Sequence, residues 1–542
     1  MIKRWLKQKI SEHYPNSEFD VLVPPDDKMG DYSVNLAFVL AKKNGTSPAE
    51  EGQKIVEKFK ADREFTDRFG SIEFVNPGFV NFKFSEDFLR DSIKDVFTVG
   101  DEFGNSDIGK GMKVNLEFVS ANPTGPLTVG NARAASYGDT LGNILKKAGY
   151  KVGKEYYIND VGVQIQKLGE SIRLRMNNED LGPDLYQGEY IKEIAKEFFD
   201  RGVRGEDIIA EAVKIMVEKA KSTMESLGVS FDEWFPESKL HESGEVKAAF
   251  EELASKGHVV EEEGAKWLKM DGDQKTVLIK SDGSTTYLMN DIAYTKNKFE
   301  RGFDKAINIW GTDHHGDVPR LKAGVTALGY DANRLEILLH QLVMLKRKDE
   351  KLKISKRAGN LVLLDDLLSE VGKDAIRFFF LTRDLNTHME FDVELAKEQS
   401  KQNPVFYIQY AFARLSSIFK KSEILNPKSD RDSRLRTGTF SEQTNIKPEI
   451  LNLLKEEEEL KLLRDITKFP DLVEELAENY HIHRLAQYTL DLASDFHKFY
   501  EKHRVIIEEE SLRSARLILS EAVRKVLAEC LELMGLSAPE KM

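Results

Sequence analysis

The sequence predicts an α/β protein with a doubly wound parallel sheet at its core, an N-terminal α+β module before it and a C-terminal all-α helical bundle after it. Three observations predict this architecture. Strand-like and helix-like patterns alternate over residues 106–400, both kinds are mixed over 1–105, and helical spacing alone continues over 401–542. The 542 residues also exceed what one ordinary core holds, so two to four domains are expected.

The first region contains helical stretches at residues 34–43 and 49–62, followed by alternating apolar residues at 71–85. Pro77 and Gly78 interrupt this alternation. The segment therefore predicts two strands joined by a tight turn, and the whole region an α+β module.

The central region opens with a strand–helix–strand unit, in which KVNLEFVS (113–120) and KVGKEYYIND (151–160) are the strands. Further strands are expected at AINIWGTD (306–313) and LLHQLVMLK (338–346), with a helix between them. This alternation predicts a Rossmann-like sheet, which binds ligands at the carboxyl ends of its strands.

Two further regions are predicted to be helical. Residues 165–285 are rich in charge and predict a mostly helical insertion into the core. Beyond residue 401, apolar residues recur three and four positions apart in several stretches, one of them spanning 481–504. Within this bundle, the acidic segment 456–459 is interpreted as a solvated helix face.

The composition limits the class of protein. No window approaches the roughly 18 apolar residues that a membrane span needs, and the N-terminus lacks the apolar stretch of a signal peptide, so no membrane partner is expected. Cys530 is the single cysteine, which excludes an intramolecular disulfide and fits a reducing cytoplasm. The net charge of −13 argues against indiscriminate nucleic-acid binding but leaves local basic patches possible.

The fragment PLTVGNAR (126–133) marks a strand-to-helix turn. A helix N-terminus attracts phosphate, and Gly125 and Gly130 let a phosphate approach the backbone. Thr128 and Asn131 lie three residues apart and could donate to one ligand. An ordinary capped turn explains the same residues, so this fragment alone leaves both interpretations open.

A basic segment follows the predicted strand at 338–346. Between Lys346 and Arg357, seven lysines and arginines face only Asp349 and Glu350. Such a run is usually a solvated loop. A cationic loop opposite a phosphate-binding turn, however, can stabilise charge that develops on a polyphosphate during nucleotidyl transfer.

SANPTGPLTVGNAR (120–133) and KISKR (353–357) resemble the two signatures of class I aminoacyl-tRNA synthetases. Further motifs make the resemblance closest to the arginyl-tRNA synthetase family, among them GDYSVNLAFVLAK (30–42), WGTDHHGDVPRLKAGV (310–325) and NPVFYIQYAFAR (403–414). One departure stands out: the family's first signature usually has two histidines where this chain has Thr128 and Asn131. Because both residues can still donate hydrogen bonds, the site is interpreted as altered and active.

The resemblance implies that arginine reacts with ATP, accompanied by Mg²⁺, and is then transferred to tRNA(Arg). The catalytic residues expected are Lys356, Lys353, Thr128 and Asn131. The ATP contacts expected are Pro126, Thr128, Gly130, Asn131, Gly311, Asp313, His314, Ser355 and Lys356. The arginine contacts expected are Glu117, Ser120, Asn122, Tyr287 and Asp291. No protein-held metal is expected, because the adjacent histidines His314 and His315 point apart on any regular element.

Glu117 also stands out without the resemblance, because it interrupts an otherwise apolar strand. A buried carboxylate needs a cationic partner, which a substrate guanidinium would provide. A salt bridge to a lysine or arginine of the protein is the alternative, and it stays open. Tyr287 and Asp291 are four residues apart, so they are expected on one face of a helix.

For tRNA, the stretch at 481–504 interleaves aromatic and basic residues, a composition suited to unstacked RNA bases. The expected contacts are Tyr407, Arg414, Arg484, Lys498 and Arg504. A monomer is expected. Two other functions remain open: a tRNA-binding protein without catalysis, and an enzyme that makes a small-molecule adenylate without tRNA.

Overall fold

The computed structural model describes the chain except residues 271, 273, 348–349, 354–361 and 426–445. In the N-terminal module a four-stranded antiparallel sheet, in the order β1-β2-β4-β3, packs against helices. The stacked rings of Phe59 and Phe65 lie in its core, their centroids 4.3 Å apart. The elements are α1 (Ile2–His13), β1 (Val21–Leu22), β2 (Tyr32–Val34), α2 (Leu36–Asn44), α3 (Pro48–Lys60), α4 (Arg63–Thr66), β3 (Phe69–Val75), β4 (Phe79–Phe84) and α5 (Glu86–Thr98).

The central region contains a five-stranded sheet in the order β12-β11-β5-β6-β7, in which every neighbouring pair is parallel. The predicted parallel core is therefore confirmed. Its elements up to the second half of the sheet are β5 (Lys113–Glu117), α6 (Val129–Lys147), β6 (Lys151–Ile158), α7 (Val163–Met176), α8 (Glu189–Arg201), α9 (Asp207–Ser226), β7 (Glu233–Pro236), α10 (Glu237–Glu242), α11 (Glu245–Ser255), β8 (Val259–Glu262), β9 (Ala265–Lys269), β10 (Lys275–Ile279) and α12 (Tyr287–Glu300).

The second half of the sheet is followed by a smaller three-stranded sheet, in the order β14-β13-β15. The elements are β11 (Lys305–Gly311), α13 (Asp317–Ala327), β12 (Leu335–His340), β13 (Val343–Arg347), β14 (Glu350–Lys353), α14 (Leu364–Leu381), β15 (Met389–Asp392) and α15 (Val393–Lys397). Helix α14 is kinked at Gly372, whose φ is 77°.

The segment at 338–346 is not one strand, as the pattern predicted, but parts of two. Gln341 separates them: its N–H donates to Leu385 O at 3.1 Å, and its carbonyl accepts from Arg133 Nη1 at 3.0 Å. These bonds draw the chain out of the parallel sheet, so β13 pairs with β14 and β15 instead.

The insertion contains the helices α7 to α11, as predicted, together with strands that the charge pattern did not predict. It contributes β7, a short edge strand of the main sheet, and the antiparallel strands β8, β9 and β10. The turn between β8 and β9 uses Glu263 and Gly264, both with positive φ. Short strands with polar, exposed faces carry little hydrophobic periodicity, so the pattern missed them.

The C-terminal region is helical, as predicted, with α16 (Pro404–Leu425), α17 (Pro448–Leu451), α18 (Glu457–Asn479), α19 (His483–Lys502) and α20 (Glu510–Leu533). Cys530 is buried within α20. Helix α19 is shorter than the predicted 481–504, because Tyr480 adopts a left-handed conformation before it and His503 an extended one after it. Within the described part of the chain, no helix is long and apolar enough to cross a membrane.

The acidic segment 456–459 is largely solvated, as predicted: Glu456 and Glu457 are exposed, Glu458 is partly exposed, and Glu459 is the buried member. The segment forms the start of α18, where the side chain of Glu459 accepts from the N–H groups of Lys455 and Glu456. Glu459 is fully buried and also accepts from Arg516 Nε at 2.7 Å. Carboxylates are favourable at this end of a helix because they face its positive partial charge.

Candidate active site

The loop that follows β5 is held in an unusual backbone conformation. Val119 and Ser120 have φ angles of 72° and 39°, a region that a β-branched valine rarely adopts. Ser120 Oγ accepts from the N–H of Tyr157 at 3.0 Å, and the Tyr156 hydroxyl donates to Ala121 O at 3.0 Å. Strand β6 thus fixes the loop that contains Ser120 and Asn122.

The loop leads into the start of α6, where Thr128 and Asn131 contact each other. Asn131 Oδ1 accepts from the Thr128 N–H at 2.9 Å and from Thr128 Oγ1 at 3.1 Å. The Thr128 hydroxyl proton is therefore engaged within the turn, whereas the Asn131 amide nitrogen is directed away from it. The turn is capped, as one of the two interpretations of the sequence predicted. The Asn131 amide remains as one side-chain donor for a ligand.

The chain after the basic segment returns to this turn. Val129 N–H donates to Val362 O at 3.3 Å, and Leu364 N–H donates to Leu127 O at 3.0 Å, which pairs Thr128 with Leu363. Strand β14 ends at Lys353. Ser355 and Lys356 lie outside the described residues, and only the backbone of Lys353 is described.

The end of β11 forms the next part of the same sheet edge. A Cβ on Gly311 would lie 2.3 Å from Asp313 Oδ1, so no larger residue fits there unless Asp313 moves. The Asp313 side chain is 83% exposed. His314 is about half exposed, and its Nδ1 lies 3.4 Å from Asp317 Oδ2. Gly311 and Asp313 are thus together, as predicted, at an open edge.

Glu117, at the end of β5, is buried and paired. Lys298 Nζ donates to Glu117 Oε2 at 2.6 Å and to Asn308 Oδ1 at 2.9 Å, and the lysine is fully buried. The salt bridge that the sequence left open as an alternative therefore exists. It does not exclude a second cation, because the pair has further carboxylates beside it.

These carboxylates are Asp291 and Glu237. Burial, followed by the charges of Glu117 and Glu237, raises the pKa of Asp291 well above its usual range, while Lys298 lowers it. Burial also raises the pKa of Glu237, which accepts from Asn290 Nδ2 at 2.5 Å. Lys298 thus faces both Glu117 and Asp291, whereas Glu237 lies 3.6 Å from His241 Nε2. A group of neighbouring carboxyl groups such as this one suits a bound cation such as guanidinium.

Tyr287 and Asp291 both lie on α12, as predicted. Tyr287 is 57% exposed at the helix start, and Asp291 lies one turn further in. Glu237 was not predicted, because nothing in the surrounding charged sequence distinguishes it from its solvated neighbours. Its burial beside Asn290 depends on the fold of the insertion.

Family models cover almost the whole chain. The arginyl-tRNA synthetase N-terminal domain matches residues 1–84, the catalytic domain of class I tRNA synthetases (R) matches 93–386, and the DALR anticodon binding domain matches 408–542. The chain belongs to the arginyl-tRNA synthetase family. Its relatives include the arginine–tRNA ligases of Bacillus subtilis, 43% identical over 99% of this chain and 97% of the relative, and of Caldanaerobacter subterraneus, 41% identical over 97% and 94%.

Solved structures agree with this membership in the arginyl-tRNA synthetase family. A putative arginyl-tRNA synthetase from Campylobacter jejuni superposes with a TM-score of 0.73, at 33% identity, over 84% of this chain and 100% of that one. The Thermus thermophilus arginyl-tRNA synthetase has a TM-score of 0.78 over the full length of both chains. At 23% identity, the second likeness concerns the fold.

The five residues predicted to contact tRNA lie in two parts of the helical bundle of this arginyl-tRNA synthetase family member. Tyr407 and Arg414 lie on α16, in an aromatic cluster with His497: the Tyr407 and His497 rings are 4.5 Å apart, and Arg414 lies over Tyr410 and Tyr500. The remaining three lie on or beyond α19. Arg484 pairs with Glu475, Lys498 donates to Asp495 Oδ1 at 2.8 Å, and Arg504 is exposed past the helix end.

Proposed function

We propose that the protein joins L-arginine to the 3′-terminal ribose of tRNA(Arg) in two steps, through an arginyl-adenylate. The carboxyl cluster of Glu117, Glu237 and Asp291 carries this proposal, because a bound guanidinium would stabilise the ionised form of carboxyl groups that burial otherwise disfavours. It lies on the same sheet edge as the helix start that would take the phosphates.

In the first step, the arginine carboxylate attacks the α-phosphorus of ATP and pyrophosphate leaves. Asp291 and Glu117 hold the guanidinium, with Tyr287 over it, while Asn122 and the Ser120 backbone orient the α-amino group. The protein contributes mainly positioning and charge stabilisation, since no covalent enzyme intermediate is needed.

At the ATP end, Gly130 and Pro126 leave room for the phosphates, and Asn131 donates its amide N–H. Gly311 and Asp313, with His314 beside them, take the ribose side. Lys356, with Lys353, neutralises the leaving phosphates, and Ser355 donates a hydrogen bond to them. Lys356 precedes Val362 by six residues in the sequence, and Val362 is bonded to the turn that contains Thr128.

The reaction also requires a metal ion and contacts to the tRNA. Mg²⁺ enters with ATP, bound mainly by phosphates and water, as this ion prefers. The aromatic cluster at Tyr407 and Arg414 binds anticodon bases, and Arg484, Lys498 and Arg504 bind the tRNA backbone. We further propose that the protein acts as a monomer in the cytoplasm.

The test is arginine-dependent exchange of pyrophosphate into ATP, with and without tRNA(Arg). Exchange should require arginine, and Lys356→Ala should lower it by on the order of 100-fold. Lys351→Ala removes a charge from the same basic run and should have little effect. Tight tRNA binding without exchange would instead favour the non-catalytic binding protein, and exchange that another amino acid supports would exclude arginine as the substrate.

A further inference from the structure

His340 lies at the end of β12, beside the proposed ATP edge. In the parallel register it stands opposite Gly311, the last residue of β11. Its Nε2 is 3.9 Å from the point that a Cβ on Gly311 would occupy, and that same point is 2.3 Å from Asp313 Oδ1. The imidazole therefore borders the corner formed by Gly311 and Asp313.

The surroundings of the ring keep it uncharged and leave one of its nitrogens near the corner. Nδ1 is buried and has no hydrogen-bond partner among the described residues. Burial and the Arg133 guanidinium lower the pKa of His340, against the opposing effects of the Gln341 carbonyl and Asp313, so the ring is neutral at physiological pH. Nε2 is the ring nitrogen near the corner, and a neutral imidazole that carries its hydrogen there can donate to a ligand at the corner.

Arg133 links this histidine to the helix start that contains Asn131. It is fully buried on α6, two residues after Asn131, and its guanidinium donates to three carbonyl groups: Gln341 O at 3.0 Å, Asp384 O at 2.8 Å and Thr387 O at 2.8 Å. The residue after His340 is thus fixed against α6. A nucleotide that contacts both Asp313 and the helix start would therefore lie near the imidazole.

We propose that His340 donates its Nε2 hydrogen to an oxygen of bound ATP, and so supplies the neutral imidazole donor that Thr128 and Asn131 do not provide. The proposal rests on the proposed function and adds a residue to its ATP site. The Thr128 hydroxyl is engaged by Asn131, which leaves a shortage of side-chain donors at the helix start. His340 meets that shortage from the end of β12.

The test compares His340→Ala, His340→Asn and His340→Gln in arginine-dependent pyrophosphate exchange, with His258→Ala as the control for loss of a remote histidine. A glutamine amide reaches about as far as Nε2, and an asparagine amide about as far as Nδ1. We expect His340→Ala and His340→Asn to raise the KM for ATP or lower kcat at least tenfold. His340→Gln should recover to within threefold of the parent, and the KM for arginine should change less than twofold throughout.

Three results would overturn the proposal: kinetics of His340→Ala within twofold of the parent, asparagine performing as well as glutamine, or a loss that affects arginine and ATP equally and follows a lowered Tm. If the parent protein shows no exchange, the proposed function fails. Calorimetric titration of the same variants with ATP then tests His340 alone, with at least tenfold weaker binding by His340→Ala expected and unchanged binding as the contrary result.

A second comparison tests directly whether His340 replaces a donor that is missing from the helix start. Asn131→His places an imidazole at the helix start. Added to His340→Ala, it should raise the exchange activity of that variant at least threefold. In the parent background the same substitution should give a smaller gain. An equal effect in both backgrounds would mean that the two positions act independently, which contradicts the proposal.

Discussion

At the scale of single residues, Asp291 is a carboxyl group whose surroundings favour its protonated form. A folded-state pKa above the unfolded value means that its stabilising contribution is complete at low pH and is lost as pH rises through the folded pKa. Asp291→Asn removes this dependence. We expect the variant to exceed the parent in free energy of unfolding at pH 8, with the difference shrinking toward pH 4, in urea titrations across that range.

The same group links arginine binding to pH. A bound guanidinium favours the ionised carboxylate, so arginine should bind with release of a proton and more weakly as pH falls. Asp291→Asn should abolish detectable arginine binding in calorimetry. Asp180→Asn, an exposed change in the loop between α7 and α8, should leave both stability and binding unchanged. A variant at Asp291 that keeps the parental pH dependence would contradict this account.

Lys298 provides a second prediction at this scale. Lys298→Met leaves Glu117 buried without its cation, so the free energy of unfolding should fall by about 3–5 kcal/mol, measured in urea. Lys296→Met, on the same helix, removes a lysine that pairs with Glu252 and Glu300 nearer the surface, and should cost less than about 1 kcal/mol. Equal losses of unfolding free energy in the two variants would show that the buried pair of Lys298 and Glu117 contributes no more to stability than a surface pair.

Sequence reasoning identified Glu117 because a carboxylate in an apolar strand is unusual, but it could not identify the partner. Lys298 is 181 positions away and looks like any surface lysine of a charged helix. Glu237 carried no local signal either. Motifs and spacing thus locate the groups that interrupt a pattern, whereas partners supplied by another element depend on the folded chain.

At the scale of elements, the start of α6 depends on the contact between Thr128 and Asn131. Thr128→Val keeps the side-chain shape but removes the hydroxyl donor to Asn131 Oδ1. We expect a loss of about 1 kcal/mol in urea unfolding, as for other N-cap changes, together with a lower kcat in pyrophosphate exchange. The KM for arginine should stay the same.

Thr326→Val is the matched change on α13, where the hydroxyl bonds only to Lys322 O of its own helix. It should leave exchange activity unchanged. If Thr128→Val also left kcat unchanged, the orientation of Asn131 would not matter for the reaction.

Elements with strong periodicity were predictable and those held by distant contacts were not. β5, α6 and β6 follow the expected order because each has the apolar spacing of its type. The separation of β12 from β13 depends instead on the two bonds of Gln341 to Leu385 and Arg133. No local pattern encodes such bonds, so a continuous apolar stretch was predicted as one strand.

At the scale of the whole molecule, Asp31 joins the N-terminal module to α18. It is fully buried, and its Oδ1 lies 3.0 Å from Arg464 Nε and 2.9 Å from Lys468 Nζ. Its other oxygen accepts from the Phe84 N–H at 2.8 Å. Asp31→Asn should lower the free energy of unfolding by about 3 kcal/mol, because two cations lose their carboxylate.

The control for this prediction is Asp67→Asn, whose exposed side chain lies 3.6 Å from Arg63 and should matter by less than about 1 kcal/mol. Because Asp31 positions the module, its variant should also weaken tRNA binding in a filter assay more than it affects exchange with arginine. If Asp31→Asn lowered stability but left tRNA affinity unaltered, Asp31 would stabilise the fold without positioning the module for tRNA.

Because Cys530 is buried, its reactivity reports when the C-terminal helical bundle opens. Its thiol is fully enclosed in the C-terminal bundle, and burial raises its pKa to about 12, so it reacts with thiol reagents only when the bundle opens. Labelling rates in native buffer would therefore time the spontaneous unfolding of this region without any inserted probe. A cysteine added at the surface, for a fluorophore or a cross-linker, could be modified selectively in the otherwise natural sequence.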